Sequence, residues 1–169
     1  SGTDTIDFSD ETDAINVELV GIGTTDGFKG YEYNILGYFD NVEVLIGTTF
    51  EDILKGLNEP STWTLSSDTG GSYEAFGRTL NINNIELLRG GTDTDTFIFE
   101  EGLSFFGSLD GGSGMDTLDN RGLLTSVTLT LTDIGAIDGF DGVASNIDSK
   151  FANINQIFGG AGSDKLIGM

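Results

Sequence analysis

An internal duplication constrains the fold of this chain more than any other feature. Shifted by 112 positions, residues 4–56 align with residues 116–168 without a gap. A shift of 43 adds a third copy, because NVEVLIGTTFED at 41–52 falls on NIELLRGGTDTD at 84–95. Internal duplication of this kind is typical of stacked units that share one continuous core. We therefore predict one domain over residues 1–169, an excerpt of a longer array, with copies at about 4–56, 57–115 and 116–168.

The segments between the turns have the pattern of β-strands. Residues 127–132, VTLTLT, alternate strictly between apolar and polar side chains, and Ile15, Val17 and Leu19 repeat the alternation in the first copy. No segment combines a helical period with a cap. Gly/Asp turns recur every 16 to 27 residues, which suits a solenoid coil of two short strands and two bends. The sequence predicts an all-β fold, a parallel β-solenoid or β-roll with glycine-rich turns; the alternative is a β-sandwich with similar loops.

Two glycine-rich turns, GGSGMDTLD at 111–119 and GGAGSDKLI at 159–167, indicate a cation site. Glycine enters the left-handed region without steric cost, so such a run can form a tight turn whose carbonyl oxygens point inward. The aspartate adds a hard carboxylate oxygen, and an all-oxygen donor set suits Ca²⁺, which takes about 6 to 8 oxygen ligands. Phosphate would need amide hydrogens, a lysine and a helix start, and none of these follows.

The charge balance fits bound cations and argues against several classes of function. The chain has 28 acidic and 7 basic residues and a formal net charge of −21, so self-repulsion opposes compaction unless cations bind. Nucleic acid and anionic membranes are poor partners for such a chain. Cysteine and histidine do not occur, which removes disulfides and the commonest zinc ligands. We expect no transmembrane segment, and no enzyme, because no nucleophile or histidine base accompanies the carboxylates.

Both full turns match the nonapeptide G-G-x-G-x-D-x-U-x, where U is a large apolar residue. The chain therefore resembles the RTX family, the hemolysin-type calcium-binding repeats of secreted bacterial toxins, lipases, proteases and adhesins. GGTDTDTFI at 90–98 departs only at its fourth position, Ser1–Asp7 fits the last seven positions, and GTTFEDILK at 47–55 keeps one glycine, its aspartate and its leucine. The linking segments are similar to those of very large bacterial surface proteins. Ordinary RTX motifs recur about every nine residues, whereas these lie 21 to 48 residues apart.

The resemblance implies a calcium-binding turn in the first six residues of each motif and a short β-roll strand in the last three. The carboxylate ligands that it implies are Asp116, Asp164, Asp95 and Asp4. The backbone carbonyl ligands that it implies are those of Gly111, Ser113, Gly159, Ala161, Gly90 and Thr92. Asp52 is a further candidate. Asp26 and Asp138 lie in Asp-Gly turns halfway through the two long copies, and they are candidates to complete an ion site from the neighbouring coil.

The residues and the resemblance together predict a calcium-binding, calcium-stabilised module with a structural or adhesive role. We expect it in a large secreted or cell-surface bacterial protein, outside the cell. The expected partners are calcium ions, neighbouring repeats of the same chain, and a surface glycan or a host cell surface. The alternative is a carbohydrate-binding or polysaccharide-modifying module in which Tyr31, Tyr33, Tyr38 and Tyr73 stack on sugar rings.

Overall fold

The computed structural model describes residues 2–34 and 37–169, and Ser1, the first residue of the incomplete motif, lies outside them. The described residues contain no helix, and hence no helix long and apolar enough to cross a membrane. Within them the chain forms β1 (Thr5–Asp7), β2 (Asn16–Ile22), β3 (Phe28–Glu32), β4 (Gly37–Val42), β5 (Val44–Ile46), β6 (Ile53–Lys55), β7 (Ser61–Ser67), β8 (Gly70–Ala75), β9 (Arg78–Asn83), β10 (Leu87–Arg89), β11 (Asp95–Phe99), β12 (Ser108–Asp110), β13 (Thr117–Asp119), β14 (Thr128–Ile134), β15 (Phe140–Ala144), β16 (Phe151–Ile154), β17 (Gln156–Phe158) and β18 (Lys165–Ile167).

These strands form two sheets, and the chain passes repeatedly from one to the other. The eight-stranded sheet has the order β1-β5-β9-β8-β7-β11-β13-β17, and the ten-stranded sheet has the order β18-β14-β15-β16-β12-β10-β6-β2-β3-β4. Strands of successive coils pair in parallel, as β10 does with β6 on one side and β12 on the other. The result is a β-solenoid of about 4 turns. The predicted parallel solenoid is therefore confirmed, in place of the alternative sandwich.

Three coils contain an antiparallel meander in place of a single strand. The meanders β2-β3-β4 and β14-β15-β16 lie in the ten-stranded sheet, and β7-β8-β9 lies in the eight-stranded sheet. The prediction of two strands in every coil is wrong for these coils. The Gly/Asp turns at 23–27, 68–69 and 135–139 are hairpin turns of the meanders and not corners of the solenoid. In a solenoid each strand has one face toward the core and one away from it, so parallel and antiparallel strands can both alternate, and alternation alone does not separate the two.

The duplication is visible in the strands. β1, β2, β3, β5 and β6 recur 112 residues later as β13, β14, β15, β17 and β18 with the same lengths. The single core between the sheets contains Trp63, which stacks on Phe97 with ring centroids 5.7 Å apart and meets the edge of Tyr73 at 4.5 Å. Tyr73 is fully buried, and its hydroxyl accepts the Leu57 amide at 2.9 Å. Tyr73 is therefore a core residue and does not have the surface position that the carbohydrate-binding alternative requires of it.

Candidate calcium-binding turns

The motif turns lie at the two corners where the chain changes sheet. Residues 90–95 and 111–116 lie at the first corner, where the chain passes from the ten-stranded to the eight-stranded sheet. Gly2–Asp4 precedes β1 at the same corner, whereas residues 47–52 and 159–164 lie at the second corner, on the reverse passage. Since β11 and β13 are neighbours in the sheet, residues 90–95 and 111–116 occupy adjacent coils. The structure thus brings together two of the five turns.

Backbone contacts join these two turns directly. The Ser113 amide donates to the Gly91 carbonyl at 3.2 Å, and the Gly90 amide donates to the Asp110 carbonyl at 2.8 Å. A Cβ on Gly90 would collide with the Gly111 carbonyl oxygen, so the backbones of the two turns approach as closely as glycine permits. The Gly111 carbonyl, one of the ligands that the RTX resemblance implies, therefore lies against Gly90 of the neighbouring turn.

Asp116 has a buried carboxylate of which one oxygen accepts a hydrogen bond from the protein and the other accepts none. Its side chain is fully buried, and Oδ1 accepts the Asp95 amide at 2.9 Å. Its second oxygen, Oδ2, is buried without a hydrogen-bond partner. Burial raises the pKa of Asp116 to about 7, opposed by the Asp95 amide and reinforced by the negative charges of Asp95, Asp138 and Asp110. A buried carboxylate oxygen among other carboxylates is a position that a cation would stabilise.

Asp138 reaches this turn from the β14–β15 hairpin. Its Oδ2 accepts the Gly114 amide at 3.0 Å, and its Oδ1 lies 3.5 Å from Asn155 Nδ2. Asn155 in turn accepts the Asp116 amide at 2.9 Å through Oδ1. A second carboxylate therefore borders the 111–116 turn from the meander. Asp26 lies in the equivalent hairpin of the first copy, where its amide is 3.4 Å from Asn41 Oδ1.

Asp95 is buried, and protein donors bind both of its carboxylate oxygens. Oδ2 accepts the Gly91 amide at 2.7 Å, and Oδ1 accepts the Ser61 hydroxyl. Burial raises the pKa of Asp95 to about 6, opposed mainly by the Ser61 hydroxyl and the Gly91 amide. Its side chain closes its own turn and ties it to the preceding coil.

Asp52, in the most degenerate motif, is also satisfied by protein donors. Oδ1 accepts the Ile15 amide at 2.8 Å and the Thr48 hydroxyl at 3.0 Å, and Oδ2 accepts the Thr48 amide at 2.5 Å. Thr48 stands where the full motif has its second glycine. The threonine hydroxyl supplies a donor, so this turn closes through hydrogen bonds alone.

Asp4 and Asp164 lie at opposite ends of the stack, and both are exposed. The Asp4 amide donates to Glu43 Oε2 at 2.7 Å, and Asp164 Oδ1 accepts the Val127 amide at 2.9 Å. Gly159 lies against Asp164, and the Ala161 amide donates to the Leu123 carbonyl at 2.8 Å. These two turns each have a neighbouring coil on one side only.

Sequence reasoning missed a second set of side-chain acceptors at the corners. Glu43, Glu86 and Asn155 accept the amides of Asp4, Asp52 and Asp116 at 2.7, 3.0 and 2.9 Å. Each follows by two positions an asparagine with positive φ: Asn41 at 61°, Asn84 at 53° and Asn153 at 54°. The repeated Asn-[Val/Ile]-[Glu/Asn] element was the available signal. Glu43 Oε1 is a further buried oxygen without a hydrogen-bond partner.

Across residues 2–34 and 37–169, no group of three or more Asp, Glu, His or Cys side chains is arranged to hold a metal ion. An ion at Asp116 would therefore need backbone carbonyls to complete its ligands, as a glycine-rich turn permits. The fold and the turns define a β-solenoid protein with two glycine-rich turns stacked at one corner. Comparison of the chain with protein-family models, with curated proteins and with solved structures finds no match.

Proposed function

We propose that this chain is a calcium-binding, calcium-stabilised repeat module with a structural or adhesive role. The observation that carries the proposal is Asp116 Oδ2, a buried carboxylate oxygen without a partner between two stacked glycine-rich turns. Buried charges in proteins are paired or coordinate metals, because an isolated carboxylate loses its hydration on burial. Asp116 provides the side-chain ligand, the carbonyls of the 111–116 and 90–95 turns provide further oxygens, and Asp138 adds negative charge beside them.

The contrast among the turns supports a site at 111–116 in particular. Thr48 and Ser61 supply hydroxyl donors to Asp52 and Asp95, whereas the consensus turn 111–116 provides no such donor to Asp116 Oδ2. Ca²⁺ fits this donor set better than Mg²⁺, because Ca²⁺ tolerates irregular coordination and Mg²⁺ requires a near-ideal octahedron. The RTX resemblance of the same residues points to the same ion.

A location outside the cell, in a large secreted or surface-attached bacterial protein, is part of this proposal. Extracellular calcium modules work with dissociation constants of about 10⁻⁴ to 10⁻³ M, which irregular carbonyl-rich sites can reach. The net charge of −21 keeps such a chain soluble and makes its compaction depend on cations. The module acts as a spacer or an adhesive segment whose rigidity follows the calcium concentration.

Calorimetric titration of the metal-free chain with CaCl₂ tests this proposal. We expect saturable binding, and we expect Asp116→Asn to remove one ion or to weaken one site by at least about tenfold, since ligand charge sets affinity. Asp10→Asn is the matched control, because Asp10 is exposed and its equivalent 112 residues later is Gly122. Equal loss of calcium in both variants would show diffuse charge screening, and absence of binding in the wild-type chain would refute the proposal.

A specific observation favours carbohydrate binding as a second candidate function. Tyr31, Tyr33 and Tyr38 form an exposed cluster, with exposed fractions of 43%, 59% and 53%. Tyr31 lies 6.3 Å from Tyr33 and 5.4 Å from Tyr38 between ring centroids, and the Tyr33 hydroxyl donates to Glu18 at 2.5 Å. Exposed aromatic faces beside a carboxylate can stack on a sugar and hydrogen bond to its hydroxyls.

Titration with soluble oligosaccharides tests the carbohydrate candidate. We expect Tyr31→Ala and Tyr38→Ala to abolish any binding that the wild-type chain shows. Phe106→Ala is the control, because Phe106 is 51% exposed and lies between β11 and β12, neither of which pairs with β2, β3 or β4. Binding that survives both tyrosine variants, or no binding by the wild-type chain, would exclude this candidate.

A further inference from the structure

The hairpin turns 23–27 and 135–139 are the same structure in the two long copies. Gly27 and Gly139 have φ values of 53° and 56°, and an amide-to-carbonyl bond closes each turn, Gly23 to Gly27 at 2.9 Å and Gly135 to Gly139 at 3.1 Å. Each turn is also bound by the side chain of an asparagine with positive φ. Asn41 Oδ1 accepts the Thr25 amide at 2.7 Å, and Asn153 Oδ1 accepts the Ile137 amide at 3.0 Å.

An arginine binds the carbonyl oxygens of the first of these turns. Arg78 Nη1 donates to the Gly23 and Gly27 carbonyls at 3.1 and 3.0 Å, and Nη2 donates to the Thr25 carbonyl at 3.4 Å. Arg78 begins β9, the strand that pairs with β5. The strand equivalent to β5 in the last copy is β17, which within residues 2–34 and 37–169 ends its sheet and pairs with β13 alone. Among the described residues, no arginine donates to the equivalent carbonyls of the 135–139 turn.

The apolar side chains beside the two turns differ in burial in the same way. Leu54 is fully buried, whereas its equivalent Leu166 is 62% exposed. Phe28 is also fully buried, and its equivalent Phe140 is 39% exposed. In the first copy, β9 and β10 cover this face: Ile82 pairs with Leu45, and Leu88 pairs with Leu54. The first copy thus shows which chemistry fits the face that β17 and β18 leave open in the last copy.

We propose that the β17–β18 face is an interaction surface for a further repeat unit of this type, which places an arginine in the carbonyl ring of the 135–139 turn. The partner strand adds to β17 in parallel through main-chain hydrogen bonds, as β9 adds to β5. Its guanidinium bonds to the carbonyls of Gly135, Ile137 and Gly139, and the strand after it covers Leu166. The acidic chain favours a cationic group at this position. The proposal goes beyond the calcium function and does not depend on it.

A labelled synthetic peptide with the sequence of residues 76–89, FGRTLNINNIELLR, tests this surface on the full chain in saturating calcium. The peptide contains β9 and β10. Fluorescence anisotropy should show saturable binding, and hydrogen exchange should slow at residues 156–158. A peptide with Arg78→Ala should bind about tenfold more weakly, because hydrogen bonds from a charged group are lost.

Chain variants locate the binding. Leu166→Glu should weaken the peptide about tenfold, and the side chain is exposed, so the variant should still fold. Val20→Glu is the control, because Val20 is 45% exposed on β2, toward the other end of the ten-stranded sheet. Absence of binding, equal binding of the Arg78→Ala peptide, or protection away from β17 would each overturn the proposal. Self-association of the chain that the peptide does not inhibit would assign the face to a second copy and would also overturn it.

Discussion

At the residue scale, aspartates in one motif have different environments because their neighbours differ. Asp52 and Asp95 each receive a hydroxyl donor, from Thr48 and Ser61, and their carboxylates act as hydrogen-bond acceptors that hold the turns closed. Asp116 receives one amide, and its other oxygen has no protein partner. An unsatisfied buried polar group costs about 1–3 kcal/mol, and a charged one costs more. The turn at 111–116 is therefore the one at which we propose a cation.

Asparagine substitutions should distinguish Asp116 from Asp52 by the sign of the change in the free energy of unfolding. Without calcium, Asp116→Asn should raise the free energy of unfolding, because it removes a buried charge near Asp95 and Asp138. With saturating calcium the same variant should lower that free energy, because a charged ligand is lost. Asp52→Asn should cost about 1–3 kcal/mol in both conditions, since an amide cannot accept all the donors around Asp52.

Urea titrations in EDTA and in calcium, with a fixed concentration of a stabilising osmolyte, measure these free energies. The distinction between the aspartates fails if Asp116→Asn changes stability in the same direction in both conditions. It also fails if Asp52→Asn is harmless.

The metal-free chain should become less stable as the pH rises from 5 to 8. The folded pKa values of Asp95 and Asp116 are raised to about 6 and about 7, above the ordinary value of 3.8. Between 3.8 and these values the folded state binds more protons than the unfolded state, so stability falls with pH. Some carboxyls have lowered pKa values, and they change the stability with pH only below their ordinary pKa values of 3.8 to 4.5. These carboxyls are Asp7, Glu18, Asp40 and Asp119.

Thermal unfolding in EDTA across this pH range is the measurement, and we expect a fall of several degrees in Tm. Saturating calcium should remove the fall, because bound calcium keeps the carboxylates ionised in the folded state. A metal-free Tm that rises from pH 5 to pH 8 would contradict the assigned pKa directions.

At the element scale, the sequence predicts the strands and their parallel stacking, and the prediction missed the antiparallel meanders. The alternation at 127–132 predicts β14, which spans Thr128–Ile134, and the 112-residue shift predicts the repeated strands. The antiparallel meanders had a signal in the sequence, because Asp26-Gly27 and Asp138-Gly139 lie between alternating segments, and Asp-Gly at such a place is typical of a β-hairpin. The free oxygen of Asp116, by contrast, could not be predicted. It depends on which donors the adjacent coils bring within reach, and the donor to the other carboxylate oxygen, the Asp95 amide, is 21 residues away in sequence.

The guanidinium of Arg78 should stabilise the β2–β3 hairpin turn. Arg78→Ala should lower the free energy of unfolding by about 1–3 kcal/mol, because three carbonyls lose a charged donor. Arg78→Lys should recover only part of this, since an ammonium group cannot reproduce the planar fork of donors. Urea titration in saturating calcium is the measurement.

Lys55→Met is the control for Arg78, because Lys55 forms a partly exposed ion pair with Glu18 at 2.8 Å. Such a pair contributes about 0–1 kcal/mol. Equal losses for Arg78→Ala and Lys55→Met would mean that the carbonyl contacts add nothing beyond ordinary surface electrostatics.

At the scale of the whole molecule, the meanders alternate between the sheets. The first and last meanders lie in the ten-stranded sheet, and the middle one lies in the eight-stranded sheet. Each meander adds two strands beyond the one that it replaces, and strands are about 4.8 Å apart. Three meanders in one sheet would lengthen that sheet far beyond its partner and bend the stack. The alternation keeps the two sheets close in length, so one core can run between them.

The stability of the whole solenoid should depend on calcium and not on ionic strength alone. A net charge of −21 predicts that any salt relieves some repulsion, so stabilisation by NaCl or MgCl₂ alone would not identify a site. Thermal unfolding followed by circular dichroism should therefore compare EDTA, CaCl₂ and MgCl₂ at one fixed ionic strength.

We expect EDTA to lower Tm strongly or to unfold the chain, and calcium to restore it. Equimolar magnesium should restore only a small part, because it holds its waters and requires octahedral geometry. Each kcal/mol of binding free energy moves Tm by about 2–4 °C in a chain of this length. Equal restoration by both ions would mean that cations act by screening, and the orphaned oxygen of Asp116 would then need another explanation.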